Sequence, residues 1–151
     1  MPDLGAIAFV AAVALLPLLA GGAAIVLLLR RRLRALRDEL VLSCRRDGET
    51  VAAGPASASC AGATADGPAR GNGILAVTER RLLFRGAAGN DVEADLGRVR
   101  GAEVRPTFRG QVALGTGALF LVLSLADGSE LGFLVRDAAT FARAVRNRAG
   151  G

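Results

Sequence analysis

The sequence predicts a mainly β protein. An N-terminal transmembrane helix leads into about six or seven antiparallel strands, followed by one C-terminal helix. Three observations predict this. Leu4 to Leu29 carries no charged residue. Between Thr50 and Val135, short apolar runs alternate with turns rich in Gly, Asp and Pro. A single amphipathic segment, residues 137–147, follows the last apolar run.

The apolar run comes first. Its 26 residues would span about 39 Å as a helix, against about 30 Å of hydrocarbon. Inside lipid every backbone polar group needs an internal partner, so a helix is the expected form. Pro17 and Gly21–Gly22 are tolerated in such helices. The residues ahead of the run include Asp3 and no arginine, and the run is long, which argues against a cleaved signal peptide. Arg30, Arg31, Arg32, Arg34 and Arg37 follow it directly. By the positive-inside rule they place the remainder in the cytoplasm and the N-terminus outside, as a single-pass protein of the inner membrane. The same five arginines are the expected topology signal and headgroup contacts to anionic lipid.

The helix is expected to continue to Ser43 and to break at Asp47–Gly48. Residues 50–62 read as a first strand with Pro55 near its start, and residues 63–72 as a loop. Gly73–Thr78 and Arg81–Arg85 read as strands joined by a tight Glu79–Arg80 turn. In residues 91–96, Asp91, Glu93 and Asp95 alternate with Val92, Ala94 and Leu96, the pattern of a half-buried strand. Residues 98–107 form a weaker strand and residues 108–117 a loop punctuated by glycine. Residues 118–125 and 130–135 are the strongest strands, with Asp127–Gly128 as the hairpin turn. Asp137 is placed as the N-cap of the last helix, whose face of Phe141, Ala144 and Val145 should pack on the sheet.

The expected organisation is therefore residues 1–3 outside the cytoplasm and 4–29 across the membrane. Residues 30–46 form a basic juxtamembrane helix, 47–148 the globular domain and 149–151 a tail.

Gly73, Leu75, Thr78, Arg81, Leu82 and Phe84, with the acidic strand, the Asp127–Gly128 hairpin and the short helix bearing Phe141, form a recognisable pattern. It resembles the GRAM and pleckstrin-homology-like superfamily over about residues 47–148. That resemblance implies a bent antiparallel sheet of about seven strands, nearly closed as a barrel and capped by the C-terminal helix, which plugs one end. Members that bind phosphoinositides use a basic loop between the first two strands. The matching loop here offers only Arg70, with Asp66 nearby, so that activity is not expected.

Composition narrows the chemistry. The 151 residues contain no His, so the commonest general base and metal ligand is missing. The calculated isoelectric point near 11.1 comes largely from the five-arginine cluster. From residue 38 onward, 14 Arg face 13 Asp and Glu, a net of +1. A nucleic-acid binder concentrates its basic excess on the globular part, so no nucleic-acid partner is expected.

Gly71–Ala76 matches G-x-G-x-x-A, yet a strand rather than a helix should follow it, against a dinucleotide site. The spacing of Asp91, Glu93 and Asp95 fails the EF-hand loop, which needs Gly and Glu where Leu96 and Ala102 stand. Cys44 and Cys60 are too few for zinc, and no cofactor is expected. Arg80, Arg81 and Arg85 form either a small basic spot or the polar face of edge strands.

The expected function is a non-catalytic, membrane-tethered interaction module that binds a protein or peptide, or the inner membrane face. The alternative is a small subunit or assembly factor of a larger membrane complex, packed through its transmembrane helix.

Overall fold

The structure, a computed structural model, describes the backbone of residues 4–62, 70–115 and 117–149, and side chains from residue 21 onward among these. The chain divides into two units, Met1–Arg32 and Leu33–Gly151. Helix α1 (Leu4–Arg46) begins in the first and ends in the second. In the first unit, Ile25 to Leu29 are exposed.

The second unit is built on one antiparallel sheet. Its strands are β1 (Val51–Gly62), β2 (Gly71–Thr78), β3 (Arg81–Gly86), β4 (Val92–Asp95), β5 (Val99–Arg105), β8 (Leu119–Leu125) and β9 (Glu130–Val135), in the order β4-β3-β2-β1-β9-β8-β5. A separate hairpin pairs β6 (Thr107–Phe108) with β7 (Gln111–Val112). A 3₁₀ turn at Leu96–Arg98 joins β4 to β5. Helix α2 (Ala138–Ala149) ends the described chain.

Local chemistry accounts for the turns. Thr78 is fully buried, and its Oγ1 accepts the N–H groups of Arg80 and Arg81 while donating to the Arg81 carbonyl. That closes the Glu79–Arg80 turn. At the β8–β9 hairpin, Asp127 Oδ1 accepts from the Ser129 N–H at 2.9 Å, and Gly128 adopts φ +81°. The Asp137 carbonyl accepts from the Phe141 N–H at 3.2 Å, which places Asp137 at the N-cap position of α2.

Strand alternation divides the apolar residues between two faces. On one face, Leu75, Val77, Leu82, Phe84, Leu121 and Phe133 meet Phe141, Ala142 and Val145 of α2 in the main core. The opposite face is covered in two places. Leu40 and Cys44 of α1, with Leu33 and Leu36, pack on Ile74, Ala76 and Leu83. The β6–β7 hairpin sets Phe108 against Ala61, Phe120 and Val122. There the Phe108 ring lies so close to β9 that a Cβ at Gly132 would come within 2.4 Å of it.

Two expectations shift. Residues 108–117 are not simply a loop, because the turn at Arg109–Gly110 folds back to let Phe108 bury itself. Pairing in β2 starts at Gly71, two residues before the sequence pattern places it, since Gly71 and Asn72 pair with Cys60 and Ser59. Of the rest of the expected loop, Arg70 is described and residues 63–69 lie outside the described residues.

The transmembrane helix is the major correction. Among the described residues, no helix is long and apolar enough to cross a membrane. Among the residues whose side chains are described, which begin at Gly21, the apolar stretch of α1 ends at Leu29, and Arg30, Arg31, Arg32, Arg34 and Arg37 follow it directly. The single-pass topology, the outward N-terminus and the inner-membrane location built on that helix do not stand. Residues 1–3 lie outside the described residues, as do the side chains of residues 4–20.

Candidate functional site

Two surface features of the second unit concentrate chemistry. The first is an ion cluster around Arg81. Helix α1 stops in a Schellman motif: the Glu49 N–H bonds the Cys44 carbonyl at 2.8 Å, the Gly48 N–H bonds the Arg45 carbonyl at 3.1 Å, and Gly48 takes φ +70°. This stop delivers Asp47 and Glu49 to the start of β3. The Arg81 Nη1 donates to Glu93 at 2.6 Å, its Nε lies 3.0 Å from Glu49, and its Nη2 donates to Asp47. Hydrogen bonding, foremost from Glu93 and then from Glu49 and Asp47, holds the guanidinium pKa above its ordinary value.

The cluster lies in an open cleft of about 790 Å³ that also takes in Glu79, Arg80, Asp95 and Arg148. Its central cation already satisfies three carboxylates, so it works as a clasp between the end of α1 and β3–β4. Among the described residues, no group of His, Cys, Asp or Glu is arranged to hold a metal ion.

The second feature is the free side of β5. This strand pairs with β8 on one side only and ends the sheet. Beside it, α2 forms the far wall of a groove of about 150 Å³, lined by Val99, Gly101, Ala102, Val145 and Ala149 with Arg100 and Arg146. The Arg146 Nη1 reaches across to the Ala102 carbonyl at 3.5 Å, the outer limit of a hydrogen bond. An edge strand next to an apolar groove is a form that takes up extended segments by backbone pairing.

The residues singled out by sequence fall in different places. Arg30, Arg31, Arg32, Arg34 and Arg37 are all exposed on α1, the first three in one unit and the last two in the other. Arg70 is exposed at the entry to β2. Arg80, Arg81 and Arg85 do not form a basic spot: Arg81 holds three acids, and Arg85 pairs with Asp91 at 3.1 Å. Asp91, Glu93 and Asp95 are spent on Arg85, Arg81 and the Gly97 N–H. Gly73 is required by close packing, since a Cβ there would meet the Arg85 carbonyl at 2.2 Å. Cys44 and Cys60 are free thiols, both buried, and burial raises the pKa of each.

Sequence reasoning missed the parts played by Asp47, Glu49, Arg100 and Arg146. The alternating acids opposite Arg81 and Arg85 could have signalled half of the ion cluster, because cross-strand charges pair. Asp47 and Glu49 lie more than thirty residues from Arg81, and no local pattern announces them.

No family model matches the chain, and no curated protein matches it. Among solved structures, it is similar to the C-terminal domain of an unknown protein from Leishmania infantum. That likeness has 14% identity and a TM-score of 0.47, and covers 71% of this chain and 90% of the other.

Proposed function

We propose that this chain is a non-catalytic interaction module that takes up an extended segment of a protein partner along the free side of β5. The carrying observation is that β5, seven residues long, ends the sheet beside the groove under α2. An edge strand exposes a row of backbone donors and acceptors that another chain can complete. Backbone pairing supplies affinity in this mode, and the pockets for alternate side chains supply selectivity.

The resemblance to the GRAM and pleckstrin-homology-like superfamily is part of the proposal. The sheet order and the closing helix α2 support it. So does the near-neutral charge of the part after residue 37, which suits a peptide ligand better than a polyanion.

The test is backbone hydrogen exchange on the full chain, with and without a panel of extended six-residue peptides. Strand addition protects amides of β5 and leaves those of β4, at the far end of the sheet, unchanged. Absence of binding across the panel, or protection confined to other strands, would overturn the reading.

A further inference from the structure

From the charges along the groove, we infer that the segment taken up at β5 is acidic; this rests on the strand-addition reading above. The groove floor is apolar, made by Val99, Ala102, Val145 and Ala149, and its two charged lining residues are both arginines, Arg100 and Arg146. No carboxylate lines it.

Four arginines on or beside the strands contrast with these. Arg81, Arg85, Arg98 and Arg105 each lie within ion-pair distance of an acid. Among the described residues, Arg100 and Arg146 have no acidic partner, and both are exposed. Arg146 spends one N–H on the Ala102 carbonyl, over a distance long enough that the bond is weak. An incoming strand that pairs with β5 displaces that contact. The guanidinium is then free to take a carboxylate of the segment, with Arg100 placed to take another.

The probe is a capped, fluorescently labelled peptide of alternating Glu and Val, six residues long, with the matched Lys and Val peptide beside it. Binding to the full chain is read by fluorescence anisotropy at low salt. The acidic peptide should bind about fivefold more tightly, a preference of the size that two exposed ion pairs provide. The preference should shrink as salt rises, because exposed pairs are screened. Charge reversal of both groove arginines, R100E/R146E, should invert it.

R143E reverses an exposed arginine on α2 that does not line the groove, and it should leave the preference unchanged. Thermal melting confirms that both variants fold. Equal binding of the two peptides would overturn the acidic preference while leaving strand addition in place. Equal loss of preference in R143E would overturn it as well, reducing it to net charge. Binding of neither peptide would overturn the β5 reading and this inference together.

Discussion

Phe141 of α2 presses its ring edge against Gly54 of β1: a Cβ at Gly54 would lie 3.1 Å from Phe141 Cζ and 2.6 Å from the Leu75 carbonyl oxygen. Gly54 also holds φ +84°, a conformation that side chains disfavour. One irregularity in the first strand therefore makes room for the last helix. The pairing of β1 with β2 slips between Ala53 and Ala56, on either side of Gly54.

Gly54→Ala is expected to destabilise the domain by roughly 2 kcal/mol or more, since positive φ alone costs about 1–2 kcal/mol. For a domain of this size that lowers the melting temperature by roughly 10 °C. Pairing it with Phe141→Leu should not rescue stability, because the Leu75 carbonyl and the φ angle are unchanged. Full rescue in a calorimetric melt would show that the Phe141 contact is the whole constraint.

Phe141→Ala empties the centre of the core that α2 shares with the sheet, where Phe141 is 2% exposed. The expected cost is about 3–5 kcal/mol, a large share of the 5–15 kcal/mol that usually stabilises a domain. Chemical denaturation should show the midpoint falling with little change in slope. An unchanged midpoint would mean that α2 contributes nothing to the core.

Arg81→Met should cost about 1–3 kcal/mol, chiefly because Glu49, whose side chain is 9% exposed, loses its cation. Adding Glu49→Gln should recover part of that loss. A double-mutant cycle in urea reads the coupling, and a coupling near zero would remove the clasp between the end of α1 and β3.

Leu40→Ala tests the packing of α1 on the sheet. Leu40 is fully buried against Ile74, Ala76 and Leu83, and its truncation should cost about 2–5 kcal/mol. Hydrogen exchange should quicken over residues 33–46 before it does in β8 and β9, because local opening follows the weakened contact. Uniform quickening throughout would make this helix end part of the main cooperative unit.

The thiols predict an alkaline response. Burial raises the pKa of Cys44 and of Cys60. The folded chain thus holds these protons more tightly than the unfolded chain does. Stability from this source is complete below the unfolded thiol value, about 8.5, and is lost as pH climbs through the raised folded values. Cys60→Ala should flatten that alkaline decline. A thiol reagent should modify neither cysteine in the native chain and both after unfolding; rapid native labelling would contradict their burial.

The sequence by itself determined the β-rich architecture, the strands and the closing helix. These rest on local signals: alternation in residues 91–96, Asp127–Gly128 at a positive-φ turn, and the Asp137 N-cap before an amphipathic run. It also pointed to Phe141, since one aromatic on the apolar face of a short helix has a core to fill. The 26-residue apolar run was equally plain to read, yet among the described residues no helix is long and apolar enough to be the membrane helix inferred from it.

Only the tertiary structure decided which faces are covered and which charges are spent. Leu83 and Ile74 are buried because residues 33–46 of α1 lie on them, and Arg81 is neutralised because the end of that helix brings Asp47 and Glu49 to it. The free side of β5 is likewise set by sheet order, since which strand ends a sheet depends on long-range pairing. Turns, caps and alternation act over a few residues and are written locally. Partners separated by thirty residues or more meet only when the whole sheet has closed its register.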